Sequence, residues 1–425
     1  MRFPIELHDY DIIPLLNRMM EITGVDPWSK KIAALQFHLK QNELLREFQL
    51  ERHGIELKLG QLMAEQEKSG VFPVAVRDQL QYSLYAFSAG FVRIYNELSL
   101  VGQKRIRGML LDGLKPDNNL MSLQHEVSTA VHLVSTGFDV EMHDIENGSG
   151  VDFIARRDGA ELEVECKMFT GDLGRQIHKR KVLVLHRHLW ETIDRIYKSA
   201  KTGLIIRITI PDRLTCQSNQ LREIADAVSK GVVNGNQVTR NAACKVEVKD
   251  FAINTSPFYI QDPAHLTRNS VEEFIGKILG RINSNLMMMF SPGERAVVAL
   301  VESAKPDAVL KGIHRQLREA SSGQFTKTRP GHLSVQLQEL TVQQMEDLAN
   351  DIAVGGGRPI GLQVMTSDFL LSPNREHIHS VAYRSHGAVS ALEGQSNVIM
   401  ERGIASYTRN PANPFYDDPR VRPLK

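Results

Sequence analysis

Two strand-length runs, Val151-Asp-Phe-Ile-Ala155 and Leu162-Glu-Val-Glu-Cys166, flank an Asp158-Gly159 turn, a pattern that commits this stretch to an antiparallel hairpin. Side chains alternate across a strand, so Glu165 and Lys167 share a face, and the turn folds Asp152 toward them. Two converging carboxylates make a hard-oxygen site suited to Mg²⁺, and the neighbouring ammonium stands where it can orient a water or steady a phosphate. The tripeptide Glu-x-Lys is weak evidence alone. It occurs three times, at Glu56-Leu57-Lys58, Glu165-Cys166-Lys167 and Glu247-Val248-Lys249, and alternating charge on a solvated strand reads the same way.

The surroundings separate the middle copy from the others. Upstream, Ser122 to Thr136 carries Leu123, Val127, Ala130, Val131 and Val134 at helical spacing and ends at Gly137, a natural C-cap. Then come the strand-like Phe138 to His143, the loop Asn147-Gly-Ser-Gly150 and the hairpin. A helical run and the apolar Leu204 to Ile210 follow. The order helix, three strands, helix, strand, with acids on the second and third strands, resembles the PD-(D/E)xK nuclease superfamily over residues 119 to 254. Asp152 matches the family's strand-two aspartate, Glu165 and Lys167 its (D/E)xK element, and Glu126 a further glutamate that many members carry in the preceding helix. Val151 stands where many members have proline.

The resemblance implies a restriction-endonuclease-like αβββαβ fold and metal-dependent phosphodiester hydrolysis, with Mg²⁺ as cofactor and Mn²⁺ as a possible substitute. Asp152 and Glu165 are then the metal ligands, joined by the backbone carbonyl of Cys166, with Glu126 as a further ligand or ligand support. Lys167 orients the attacking water or stabilises developing charge. Glu163 lies on the same face, where it either joins the site or, the favoured reading, is a surface or salt-bridged glutamate. Most family members cut DNA, in restriction, repair, recombination or phage defence, so an endonuclease acting on DNA is expected. The alternative is a nucleic-acid-binding or scaffold protein that kept the fold without catalysis.

Between Leu173 and Lys201 eight Lys or Arg face only two acids, Glu191 and Asp194. Such a bias suits a phosphate backbone, and Arg175, Gln176, Lys179, Arg180 and Lys181 are the candidate nucleic-acid contacts. A solvated helix face looks the same. Val182-Leu-Val-Leu185 suggests that an extended piece interrupts this helix.

The remaining chain gives a frame. A net charge of +1 supplies no global field, so any polyanion site is a local patch. Three cysteines without zinc-ligand spacing point to a reducing cytoplasm, and neither a leader peptide nor a membrane-length apolar run is visible. Residues 1 to 115 read as helical, with Trp28 to Lys68 weakened by Gly54 and Gly60. Val74 to Asn96 follows, carrying an aromatic stripe that reads as bundle core or as an oligomerisation or recognition surface. A homo-oligomer is expected. Residues 116 to 254 are the nuclease-like core and 255 to 409 a further α/β region. That region has strands at Ala296 to Val301 and Leu333 to Leu337, helices at Asp307 to Ala320 and Thr341 to Ala353, and a flexible Gly355-Gly-Gly357 loop. His377 and His379 read as ordinary strand histidines, and residues 410 to 425 as an irregular tail.

Overall fold

The hairpin forms in the register that its turn dictates. In the computed structural model β1 (Asp139–Met142), β2 (Phe153–Arg157) and β3 (Ala160–Phe169) make an antiparallel meander. Arg157 pairs with Ala160 around Asp158 and Gly159, both at positive φ (52° and 79°), the geometry that a two-residue turn between twisted strands needs. The structure describes all residues except 5, 42–45, 234–237, 261–265, 267, 281–284, 339–360, 386–388, 392–397, 401–403, 410–420 and 424–425. The expected helix at Thr341 to Ala353, the triple glycine and most of the tail lie outside the described residues.

By compactness the chain divides into two units, Met1–Leu173 with Leu310–Lys425, and Gly174–Val309. The second is therefore an insertion within the first. It holds β4 (Gly203–Ile210), β5 (Thr239–Arg240), β6 (Lys245–Phe251), β7 (Asn285–Ser291) and β8 (Arg295–Ser303) in the order β5-β6-β4-β8-β7. Its ends are clasped to each other. The Ala308 N–H donates to the Gly174 carbonyl (2.8 Å) and the Gln176 N–H to Asp307 Oδ1 (2.9 Å). Gly174 has φ +71°, and a Cβ there would lie 2.3 Å from the Ala308 oxygen, so only glycine closes this stem.

This insertion corrects the expected core. The strand at 204 to 210 does not join the hairpin: it pairs with β6 and β8 in the inserted sheet. The partner of β3 is β9 (Gly331–Leu337), parallel to it, in a sheet ordered β1-β2-β3-β9-β10-β13-β14. Here β10 is Ile378–Ser385, β13 Ile404–Thr408 and β14 Val421–Pro423, while β11 (Val389–Ala391) and β12 (Val398–Met400) form a separate ribbon. A parallel partner needs a crossover. The crossover here is the whole insertion followed by a helix at Val309–Gly323. Part of the expected irregular tail, Val421–Pro423, is thus the last strand of the sheet.

The N-terminal helices form no separate region. Helices α1 (Asp9–Thr23), α2 (Val25–Gln41), α3 (Arg46–Ser69), α4 (Gln79–Glu97), α5 (Leu100–Gly113) and α6 (Met121–Ser135) share one apolar core with the sheet face formed by Val140, Met142, Phe153, Ala155, Leu162 and Val164. Tyr85, Phe87 and Phe91 lie inside that core, so the aromatic stripe is packing. The glycines that weaken α3 permit close helix packing: a Cβ at Gly54 would lie 2.5 Å from Leu80, and one at Gly60 2.5 Å from Ile32. A five-residue helix α7 (His143–Asn147) links β1 to β2.

In the insertion α8 (Lys179–Ser199) is continuous. Its Val182 and Leu185 are buried in step with Leu189, Ile193 and Ile196, so the expected extended interruption is instead the apolar stripe of one helix. The other insertion helices are α9 (Ser218–Val233) and α10 (Arg268–Leu279); α11 (Val309–Gly323) and α12 (Leu362–Leu371) belong to the main sheet. No helix among the described residues is long and apolar enough to cross a membrane, and Cys166, Cys216 and Cys244 are free thiols.

Candidate metal centre

The β2–β3 register pairs Phe153 with Val164 and Ile154 with Glu163, and one step further it sets Asp152 opposite Glu165. Apolar Phe153 and Val164 face the helical core, which turns the acids to the other side of the ribbon. Asp152 is fixed by its own turn: Oδ2 accepts the Cys166 N–H at 2.6 Å. In an extended strand a residue's N–H and C=O leave the same edge, so the Cys166 carbonyl also faces the Asp152 side. Lys167 lies two residues beyond Glu165, and its Nζ donates to Glu165 Oε1 at 2.5 Å.

Glu165 is 1% exposed, and its second oxygen, Oε2, has no hydrogen-bond partner. A buried carboxylate oxygen with no donor is costly, and a cation is the partner that would relieve it. Burial, reinforced by the Asp152 charge, pushes the Glu165 carboxyl up to about 7, despite the opposing pull of Lys167. Burial likewise raises Asp152 to about 6, against the lowering effect of the Cys166 N–H and Lys167.

Glu126 joins this field from α6. Two bonds seat that helix on β9: His125 Nε2 meets the Ser334 carbonyl at 2.9 Å, and the Thr129 and Ser334 hydroxyls lie 3.2 Å apart. Glu126 is held at about 8, first by burial and then by the charges of Asp152, Glu165 and Asp144. Asp144 in α7 was not among the residues singled out from sequence. Its nearness follows from the fold, since the His143 N–H donates to the Asp152 carbonyl at 2.8 Å.

These residues fit a divalent cation in chemistry: hard oxygens, a buried orphan lone pair and carboxyls that cannot all ionise together without a counter-charge. Among the described residues no three His, Cys, Asp or Glu side chains already stand in position to hold a metal ion together. The candidate inner set is smaller, Asp152 and Glu165 with the Cys166 carbonyl, which leaves the other positions to water as Mg²⁺ prefers.

Glu163 has a different task. It is fully buried, accepts the Thr326 N–H (2.9 Å) and hydroxyl (2.5 Å), and pairs with Arg329 (3.5 Å). It is the salt-bridged glutamate of the two readings, within the protein rather than on its surface. The other Glu-x-Lys copies are also accounted for. Glu56 and Lys58 sit in α3, where Lys58 pairs with Asp78, and Glu247 in β6 is neutralised by Lys245 and Arg207. His377 Nε2 meets the Ser321 carbonyl at 3.2 Å, a structural contact beside β10.

The candidate nucleic-acid residues all lie in the insertion. Gln176 belongs to the stem clasp: besides its N–H bond to Asp307, its side chain donates to the Pro306 carbonyl (3.3 Å) and accepts from Arg213 (3.3 Å). Arg180 is exposed, whereas Arg175, Lys179 and Lys181 are half-buried. The outward stripe of α8 continues through the exposed Arg187, Arg195 and Lys198. No family model, curated protein or solved structure matches this chain.

Proposed function

We propose that the chain is a Mg²⁺-dependent nuclease of PD-(D/E)xK type, with Mn²⁺ as a substitute, acting as an endonuclease on DNA. One observation carries this reading: buried Glu165, with an oxygen lacking any donor, stands opposite Asp152 and bonds Lys167. The chain order supports it. Helix α6, strands β1, β2 and β3, helix α11 and strand β9 run in the αβββαβ sequence of that fold, with β9 parallel to β3 and the insertion between β3 and α11.

A divalent ion held there supplies a water of lowered pKa and neutralises a phosphate oxygen. Asp152 and Glu165 would hold that ion, with Glu126 as a further ligand or ligand support. Glu165 would offer the ion its free Oε2 while Oε1 keeps Lys167, so the ammonium would stand beside the ion's water to orient it and offset charge on the phosphate. The exposed arginines of α8 suit a phosphate backbone. A homo-oligomer would bring two such sites to the two strands of a duplex, and free thiols suit a reducing cytoplasm.

The test is incubation of the full chain with supercoiled plasmid and with single-stranded DNA, in Mg²⁺, Mn²⁺ or EDTA. Cleavage by the wild type that EDTA and Lys167→Ala both abolish is the expected result. Retention of DNA without cutting in either metal would mark a nuclease-like fold used for binding, and cleavage in EDTA would overturn the metal reading.

A further inference from the structure

A helix of five residues is too short to persist by itself, so α7 depends on its anchors. The His143 N–H donates to the Asp152 carbonyl (2.8 Å), while its Nδ1 lies near Glu141 Oε1 (3.1 Å) and the Asn147 amide (3.0 Å). Glu146 reaches across to α5, taking the Ser99 N–H at 2.9 Å and the Ser99 hydroxyl. Arg105 donates to the carbonyls of Ile145 (2.9 Å) and Glu146 (2.6 Å). Every polar side chain of α7 except one is thereby engaged in holding the helix. The exception is Asp144, half-buried, whose carboxylate takes no hydrogen bond or ion pair among the described residues.

That carboxylate is also placed. It follows directly after the residue bonded to Asp152, on a helix pinned to α5 and to the entry of β2. Its charge helps to raise both Glu126 and Asp152. An acid left unpaired on so firmly held a turn, one residue from the His143 that bonds Asp152, together with a buried oxygen of the facing Glu165 that also lacks a donor, indicates a shared cationic partner.

We infer that Asp144 is a further acid of the metal centre, gripping the hydrated cation from the β1–β2 connection by accepting hydrogen bonds from its bound waters. The inference rests on the metal-dependent reading above and adds a residue to the same site. Water-mediated grip suits Mg²⁺, which sheds its waters reluctantly, and it requires no inner-sphere position for Asp144. Outer partners of this kind are worth about 10- to 100-fold in metal affinity.

The test is calorimetric titration of the metal-free full-length protein with Mn²⁺ in 0.1 M and 0.5 M KCl. Asp144→Ala should weaken Mn²⁺ binding about tenfold or more in both salts, because a hydrogen-bonded grip survives screening that removes a distant field. Asp158→Asn, which removes an equal charge at the exposed hairpin tip, should bind within about twofold of wild type. A loss below tenfold for Asp144→Ala in 0.5 M KCl would overturn the inference. Asp144→Asn, closer in shape, replaces the alanine variant if circular dichroism shows that alanine does not fold. Glu165→Gln separates the two claims. If it binds Mn²⁺ as wild type does, the metal-centre reading itself falls; if it loses binding while Asp144→Ala does not, only the role of Asp144 falls.

Discussion

Replacing Glu165 with glutamine should stabilise the metal-free protein at pH 8. The folded chain keeps a proton on Glu165 up to about pH 7, whereas an ordinary glutamate releases it near 4.5. Folding therefore takes up a proton across that window, so this group's contribution is fully present below pH 4.5 and is lost as pH rises through 7. At about 1.4 kcal/mol per pH unit, ionising the buried acid costs the folded state about 3 kcal/mol by pH 8. Glutamine removes that cost yet keeps a carbonyl oxygen for Lys167. Expected, then, are a gain of about 2–3 kcal/mol for Glu165→Gln at pH 8 and little change at pH 5. Each unit holds one tryptophan, Trp28 and Trp190, so urea unfolding in a Trp190→Phe background reports the unit that carries the site. Trp28 is a sound reporter because it is fully buried, with its indole donating to Thr23 Oγ1 at 2.9 Å. Saturating Mn²⁺ should close the gap: wild type gains about 2.7 kcal/mol at a hundredfold excess over Kd, and the variant gains nothing. Equal destabilisation by glutamine at both pH values, without metal, would refute the reasoning.

Lys167→Ala should remove cleavage of plasmid in Mg²⁺ while leaving the stability of the metal-free protein at pH 5 within about 1 kcal/mol by urea unfolding, since protonated Glu165 is then left with no uncompensated buried charge. Gly174→Ala should destabilise the insertion by about 1–3 kcal/mol through its left-handed backbone, and more through the clash with Ala308, as read by Trp190 fluorescence in a Trp28→Phe background. Gln176→Ala should lower the stability of the insertion without changing the salt dependence of DNA binding, measured by fluorescence anisotropy, because its side chain is spent on the clasp. The pair Arg187→Ala and Arg195→Ala should reduce the log–log salt slope of DNA binding by about 2, one for each phosphate that is no longer neutralised.

The local part of this fold was legible in the sequence because it is encoded locally. The Asp158-Gly159 turn sets the hairpin register, and the register sets Asp152 opposite Glu165. The continuous apolar run of β8 and the helical spacing of α6 were equally readable. What lies far apart in sequence was not. The stretch at 204 to 210 has the composition of a core strand, and it is one, but in the inserted sheet; nothing within it says which edge it pairs with. The partner of β3 begins at Gly331, and the pairing shows only once the insertion closes on itself at Gly174 and Ala308. The N-terminal helices looked like a separate region because the face they cover lies beyond residue 138. Val182 to Leu185 misled because a short apolar run in a helix resembles a strand until its stripe is followed to Ile196. Asp144 carried no local signal, since its place depends on bonds from Ser99 and Arg105 to a five-residue turn.

The most direct measurement is anomalous diffraction from crystals of the full chain soaked in Mn²⁺. A single strong peak within coordinating distance of both Asp152 and Glu165, with Glu165 Oε2 turned to it, is the predicted result. Clear binding elsewhere with no peak between those two carboxylates would contradict the proposed site.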